Sequence, residues 1–192
     1  MSDLLTDRKI QITEKATALF RARGYAATSM RDLASAVGVE AASLYNHVRS
    51  KEALLHHICF GMADAFFSAS RDVMHHQGDA EERLRLAIYK HVEVITSHRD
   101  AAAVFQHDWR YLSEPDLSVF KHQRDNYEHY FTQLLQDGVD AGLFRVADTK
   151  LTVMSMLSSL NWLYEWYRPD GALSPTQIAK HQADLFISGL KF

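Results

Sequence analysis

Apolar residues recur along nearly the whole chain at the 3.6-residue spacing of helices, and no alternating strand pattern or internal repeat stands out. Ile12, Ala16, Leu19 and Phe20 form the first stripe, and Gly24 ends it as a C-terminal cap would. Thr28-Ser29 is an N-cap signal for the next helix, in which Leu33, Ala34 and Val37 lead to Gly38. A short helical segment runs from Ala41 to about His47. Ser50 then caps a longer helix from Lys51 to about His76, and Gly78-Asp79 breaks the chain. Beyond that break the spacing predicts helices at about 80–97, 101–110, 115–137, 148–167 and 174–189, joined by the short connections usual in helical bundles. The expected fold is all-α, with a three-helix head over residues 1–50 and a helical bundle over residues 51–192.

The stretch 148–167 is apolar nearly all round, with Leu151, Met154, Met156, Leu160, Leu163 and Trp166 among its members. Such a helix needs cover on more than one side. One side suits the bundle core. The other, with the stripe Ile178, Leu185, Phe186 and Leu190, suits a second copy, so a homodimer through the last two helices is expected, with Leu160 on its outer face. Helix 115–137 carries Phe120, Arg124, Tyr127, Phe131, Leu134 and Leu135 on one face. A charge such as Arg124 on an apolar stripe must be paired or must meet a ligand. Helices 80–97 and 101–110 offer His91, Ile95, Phe105 and Trp109 for the opposing walls. With Tyr127, Tyr130 and Trp162 these make aromatic surfaces with polar tips, which suit either a small-molecule pocket or a well-packed core.

Charge refines the picture. The chain has 192 residues and a formal net charge of −3, which alone argues against nucleic acid. Residues 1–58, however, hold 8 Lys and Arg against 6 Asp and Glu, leaving 13 against 18 for the rest. A mildly basic head on an acidic body is compatible with a DNA reader, because only the docking face must be positive. Cys59 is the lone cysteine, so no internal disulfide forms, which fits a cytoplasmic location. No signal peptide and no membrane span is expected. Neither a G-x-S-x-G elbow nor a phosphate loop occurs and Cys59 lies in no motif, so no enzyme activity and no cofactor is expected. His122, Asp125 and His129 share a helix face, with His91 or His107 as possible companions, but this spacing is unspecific and no metal is assigned.

Residues 28–52 have the layout of a helix-turn-helix. Ala34 and Gly38 supply the small contact and the turn that two steeply crossing helices require, and Val39 and Leu44 pin the second helix to the core. Ala41, Ala42, Ser43, Tyr45, Asn46 and His47 are left facing outward. Ala and Ser allow a close approach to base edges, while Tyr45, His47 and Lys51 have the reach for phosphates. Thr28 and Ser29 lie at a helix start, where backbone N–H groups favour an anion. Arg31 is either a further contact or a solvated charge.

These residues resemble the TetR/AcrR family of transcriptional regulators. The matching features are Phe20-Arg21-Ala22-Arg23-Gly24-Tyr25, Thr28 to Ala34, Val37-Gly38-Val39, and Ser43-Leu44-Tyr45-Asn46-His47 running into Ser50-Lys51-Glu52-Ala53-Leu54. Glu40 stands where the family usually has a Ser or Thr cap, and Val48 where an aromatic is common. The resemblance implies a dimeric repressor that binds a palindromic operator and leaves it when a small effector fills the body. The tail Asn161 to Pro175 is similar to a subgroup responsive to acyl-CoA thioesters. By that resemblance Asn161, Trp162 and Trp166 lie beside the acyl group, and Arg110, Lys121 and Arg124 meet its anionic part. Sensors of a hydrophobic drug-like compound or of a divalent metal are the alternatives.

Overall fold

The computed structural model describes the backbone of residues 2–191 and the side chains of residues 8–191. The chain is all-α. Helices α1 (Ser2–Arg23), α2 (Met30–Val37), α3 (Ala41–Tyr45) and α4 (Lys51–Met74) come first, then α5 (Ala80–Ser97) and α6 (Arg99–His107). A single 3-10 turn, Trp109–Tyr111, leads to α7 (Asp116–Asp140), followed by α8 (Thr149–Asn161), α9 (Leu163–Trp166) and α10 (Pro175–Leu190). The chain parts into two compact units, Met1–Met62 with Asp100–Lys121, and Ala63–Arg99 with His122–Phe192.

In the first unit α2 packs on α1 and α3 on α2, around buried Ile12, Phe20, Leu33, Leu44 and Leu55. Ser29 opens α2 with a complete capping box: its hydroxyl accepts from Asp32 N–H (3.2 Å), and the Asp32 carboxylate accepts from Ser29 N–H (2.8 Å). Gly38 closes α2 at φ 75°, a left-handed conformation that only glycine adopts without strain. That reversal swings the chain into α3. Leu44 and Val48 are buried and hold α3 on the core, so the valine at the aromatic-favoured position is a core residue.

In the second unit α10 lies along α5, and α8 and α9 pack on α5 as well. Asp148 caps α8 through Leu151 N–H (2.9 Å), and Ser174 opens α10 with a capping box to Gln177 and Pro175 in the first turn. Arg145 N–H donates to Leu190 C=O at 2.7 Å, tying the segment after α7 to the end of α10. At Gly138 a Cβ would stand 2.1 Å from the Phe144 ring, so the missing side chain is what lets the buried phenyl cross α7.

Three expectations need correction. The helix predicted over 148–167 is two helices joined at Trp162. Arg99 explains where the second stops, because its Nε and Nη2 take the Tyr164 and Glu165 carbonyls at 2.9 and 3.3 Å. Leu160 is fully buried rather than outward. The outer apolar set is instead Leu151 (62% exposed), Met154 (49%), Trp162 (55%) and Leu185 (57%). The segment predicted over 41–47 is regular only to Tyr45, after which the N–H groups of His47 and Val48 both bond the Leu44 carbonyl at 3.0 Å.

Candidate functional site

The first unit presents the head residues in three ways. Ala42, Tyr45 and Asn46 are exposed, Tyr45 by 54%, while Ala41, Ser43 and His47 are half-buried on the same short helix and its exit. Arg31 and Ser29 are exposed on α2 and its cap. Thr28 is buried, and its hydroxyl donates to Gly24 C=O at 2.9 Å, so it shapes the loop before α2. Glu40 is the N-cap of α3 in extended backbone and makes no side-chain cap, which leaves the first N–H groups of α3 without a capping side chain.

Lys51 is turned inward. Its Nζ donates to the carbonyls of Tyr25 and Thr28, both at 2.8 Å, and lies 4.1 Å from the centre of the Tyr25 ring. One ammonium therefore holds the α1–α2 loop against the start of α4. The same loop is held from the segment after α6: the Tyr25 and Tyr111 rings lie 5.2 Å apart, and the Asp108 carboxyl accepts from Tyr25 N–H. Burial is the main influence on Asp108 and raises its pKa above the usual carboxylate range, opposed by that hydrogen bond. Glu52 accepts from Ser113 N–H at 3.0 Å, and hydrogen bonding by the Ser113 side chain and then by this N–H lowers the Glu52 pKa. Nothing in the local sequence pattern signalled this clamp, because its partners are up to 86 residues apart.

The second unit holds a buried polar cluster. His91 Nδ1 lies 3.1 Å from Tyr127 OH and His91 Nε2 lies 3.2 Å from Asn161 Oδ1. An amide oxygen has no proton to give, so Nε2 carries the ring proton and Nδ1 accepts from the Tyr127 hydroxyl. Burial lowers the His91 pKa to about 4, against the opposing hydrogen bond to Asn161, and keeps the ring neutral. Burial likewise raises the Tyr127 pKa, and raises that of Tyr130 to a value that keeps the phenol protonated. The Phe66 ring stacks on His91 at 4.8 Å, Phe131 meets it edge-on at 6.1 Å, and Tyr130 lies 5.9 Å from Tyr127. The cluster thus combines neutral hydrogen-bonding groups with aromatic walls, the chemistry of a mostly apolar ligand site. Phe66 and Gln123 were not among the sequence candidates: Phe66 reads as ordinary core, and a lone glutamine on a polar helix carries no signal.

The remaining candidates divide between the units. Ile95 is buried in the second unit. Arg124 is half-buried on α7, one turn from exposed Lys121. Trp162 and Trp166 lie on the surface of the second unit, with Trp162 against the Tyr164 ring at 5.9 Å. Phe105 and Trp109 belong to the first unit, where both pack on Phe120, at 5.2 and 6.0 Å, and exposed Arg110 lies 4.8 Å over the Trp109 ring. His122, Asp125 and His129 are exposed along α7.

Comparison with known proteins agrees with this layout. Residues 12–58 match the model for bacterial regulatory proteins of the tetR family, and residues 77–190 match the model for a tetracyclin repressor-like C-terminal domain. The chain is 27% identical over 188 residues to the HTH-type transcriptional repressor KstR2 of Mycobacterium tuberculosis, covering 97% of this chain and 94% of that one. The solved structure of that ketosteroid transcriptional regulator superposes with a TM-score of 0.91 over 96% of this chain and 95% of that one. The regulator PfmR from Thermus thermophilus is 32% identical with a TM-score of 0.84, covering 94% and 99%. The regulator AibR, solved in complex with isovaleryl coenzyme A and operator DNA, is 27% identical with a TM-score of 0.81, covering 93% and 97%. No described helix is long and apolar enough to cross a membrane. Matched by family models over its helix-turn-helix and over most of its body, the chain belongs to the TetR family of bacterial transcriptional regulators and is a regulator rather than an enzyme.

Proposed function

We propose that this repressor binds a palindromic operator as a homodimer through residues 1–50 and is released by an acyl-CoA thioester bound in the body, residues 51–192. The observation that carries the effector reading is the His91–Tyr127–Asn161 cluster, neutral and walled by Phe66 and Phe131. A thioester carbonyl and its acyl chain suit such a cluster, because neither brings a charge that the interior would have to neutralise. AibR, a relative of similar fold crystallised with isovaleryl coenzyme A and operator DNA, supports the same class. Arg124, in the same unit as the cluster, is the cation assigned to the phosphates of the coenzyme, and Lys121 and Arg110 are further candidates by the resemblance alone.

In the head, Ala41, Ala42, Ser43 and Asn46 face the bases, Tyr45, His47, Ser29 and Arg31 the phosphate backbone, with Thr28 and Lys51 shaping the loop between them. Paired heads of such dimers read half-sites about 34–36 Å apart or a multiple of one turn. The dimer forms on the outer face of α8 and α10, where Leu151, Met154 and Leu185 are exposed together with Ser155, Ser158 and Ser188. Effector binding displaces the operator because the thioester favours a body shape that the DNA-bound dimer does not adopt.

The test is an operator-release titration of straight-chain, branched and alicyclic acyl-CoA thioesters against the matching free acids. Release by thioesters at concentrations at least tenfold below those of the acids is expected. Equal release by free acid and thioester, or none by any thioester, overturns the effector class.

A further inference from the structure

The polar cluster of the second unit is not balanced between donors and acceptors. Tyr127 gives its only proton to His91 Nδ1, so its phenolic oxygen remains as an acceptor. Two further polar atoms are enclosed without a hydrogen-bond partner among the described residues, Gln123 Oε1 and the Tyr130 hydroxyl. Gln123, Tyr127 and Tyr130 follow one another at helical spacing on a single face of α7, and the Tyr127 and Tyr130 rings lie 5.9 Å apart. Gln123 Oε1 can only accept. Tyr130 can donate or accept. A hydrocarbon placed against this face leaves both groups desolvated and unpaired, whereas buried polar groups are ordinarily paired. The nearby guanidinium of Arg83 is engaged with Asp137 at 3.1 Å, and His91, Tyr127, Tyr130, Gln123 and Asn161 are themselves neutral.

We infer that the acyl part of the effector carries a hydroxyl group that donates to Gln123 and is oriented with the help of the Tyr130 hydroxyl, so that the regulator reads an oxygenated acyl group and discriminates against the plain hydrocarbon. The inference rests on the body site proposed above. A site built to pair a substrate hydroxyl rejects the analogue without it far more strongly than an apolar pocket rejects a missing methylene, because its own polar groups are then left unpaired.

The probes are cyclohexanecarboxyl-CoA, its 3- and 4-hydroxy derivatives, and the three corresponding free acids, each titrated against the protein–operator complex for the wild type, Q123L and Y130F. At least one hydroxylated thioester is expected to release the operator at a concentration tenfold or more below that of the unsubstituted thioester. That ratio is expected to fall towards one in Q123L and to shrink in Y130F. Using the ratio within each variant removes any general effect of the substitution on folding or DNA affinity. A ratio near one in the wild type, or one unchanged in both variants, overturns the inference. Release by the hydroxylated free acid as readily as by its thioester, with the unsubstituted acid inactive, supports the inference and overturns the thioester reading. Failure of every compound to release the operator overturns both.

Discussion

In the first unit most polar side chains around the helix-turn-helix close on backbone groups, some of them local and some, as at Glu52 and Ser113, far along the sequence. Thr17 and Thr28 bond carbonyls four residues back, Ser29 and Asp32 cap one another, and Lys51 commits its ammonium to two carbonyls of one loop. In the second unit the buried polar groups reach other side chains across the sequence instead, His91 to Tyr127 36 residues on and to Asn161 70 residues on. The first unit also sets a half-buried cation and a buried carboxylate against backbone, while the cluster of the second is neutral and leaves Gln123 Oε1 and the Tyr130 hydroxyl without hydrogen-bond partners among the described residues. Local closure shapes α2, α3 and their caps, and the Tyr25–Tyr111, Tyr25–Asp108 and Glu52–Ser113 contacts fix the loop beside them, so the positions of a reading head are set by groups that are already paired. A distributed network that is incompletely satisfied changes its energy with whatever fills it, as a sensor requires.

The largest effect that separates the regions is expected at the outer face of the second unit. Met154→Glu combined with Leu185→Glu places charges on two exposed positions, which the isolated fold tolerates. In a two-fold dimer each charge occurs twice, and leaving a buried charge unpaired costs on the order of 3–5 kcal/mol. The double variant is expected to sediment as a monomer, to keep its helical circular dichroism, and to lose at least 100-fold in operator affinity although the head is untouched. Leu160→Glu, by contrast, enters the core and is expected to unfold the second unit. A double variant that still sediments as a dimer moves the interface elsewhere.

The same contrast explains what was legible in the sequence. The head could be read because its signals are local: Ser29 as the cap of α2, Gly38 at the one left-handed position between α2 and α3, and Leu33, Ala34, Val37 and Leu44 at core spacing. Helix periodicity located nearly every body helix for the same reason. What escaped was set by tertiary partners. The break at Trp162 between α8 and α9 left no trace in the helical spacing of the run, and Arg99, which caps the end of α9, does so from 65 residues away. Leu160 and Met154 are both apolar, and only packing decides which is core. His91 and Asn161 were singled out individually, yet their direct hydrogen bond depends on α5 and α8 being packed together. Lys51 looked like a phosphate ligand because its inward turn is decided by carbonyls 23 and 26 residues earlier.

A pH titration sharpens the comparison at His91. Its folded pKa of about 4 lies below the ordinary histidine value of 6.5. The unfolded chain therefore takes up a proton near pH 6.5 that the folded chain refuses. The stability linked to His91 is fully present above pH 6.5 and is lost as pH falls from 6.5 to 4, by about 3 kcal/mol in all. His91→Gln removes this dependence while keeping hydrogen-bonding capacity. Denaturant unfolding at several pH values between 4 and 7 is expected to give a wild-type curve that falls more steeply than that of the variant. Parallel curves would mean that the imidazole is solvated or differently paired.

Lys51 provides the smallest and most discriminating measurement, because the same residue has two physical readings. As a clamp it donates two charge-assisted hydrogen bonds to Tyr25 and Thr28 carbonyls while half-buried, so its ammonium contributes about 1–2 kcal/mol to head stability. Lys51→Met keeps an aliphatic side chain of similar length and removes the ammonium that lies over the Tyr25 ring. If the clamp is its role, the variant head unfolds at lower denaturant and binds the operator more weakly, yet the slope of log affinity against log salt stays the same, because no phosphate contact is lost. If Lys51 leaves the loop for a phosphate in the complex, that slope falls by about 0.9, the effect of one fewer neutralised phosphate. The inward geometry favours the unchanged slope. A reduced slope would show that the loop carbonyls surrender the ammonium on DNA binding, and with it that the head is less closed than its local hydrogen bonds imply.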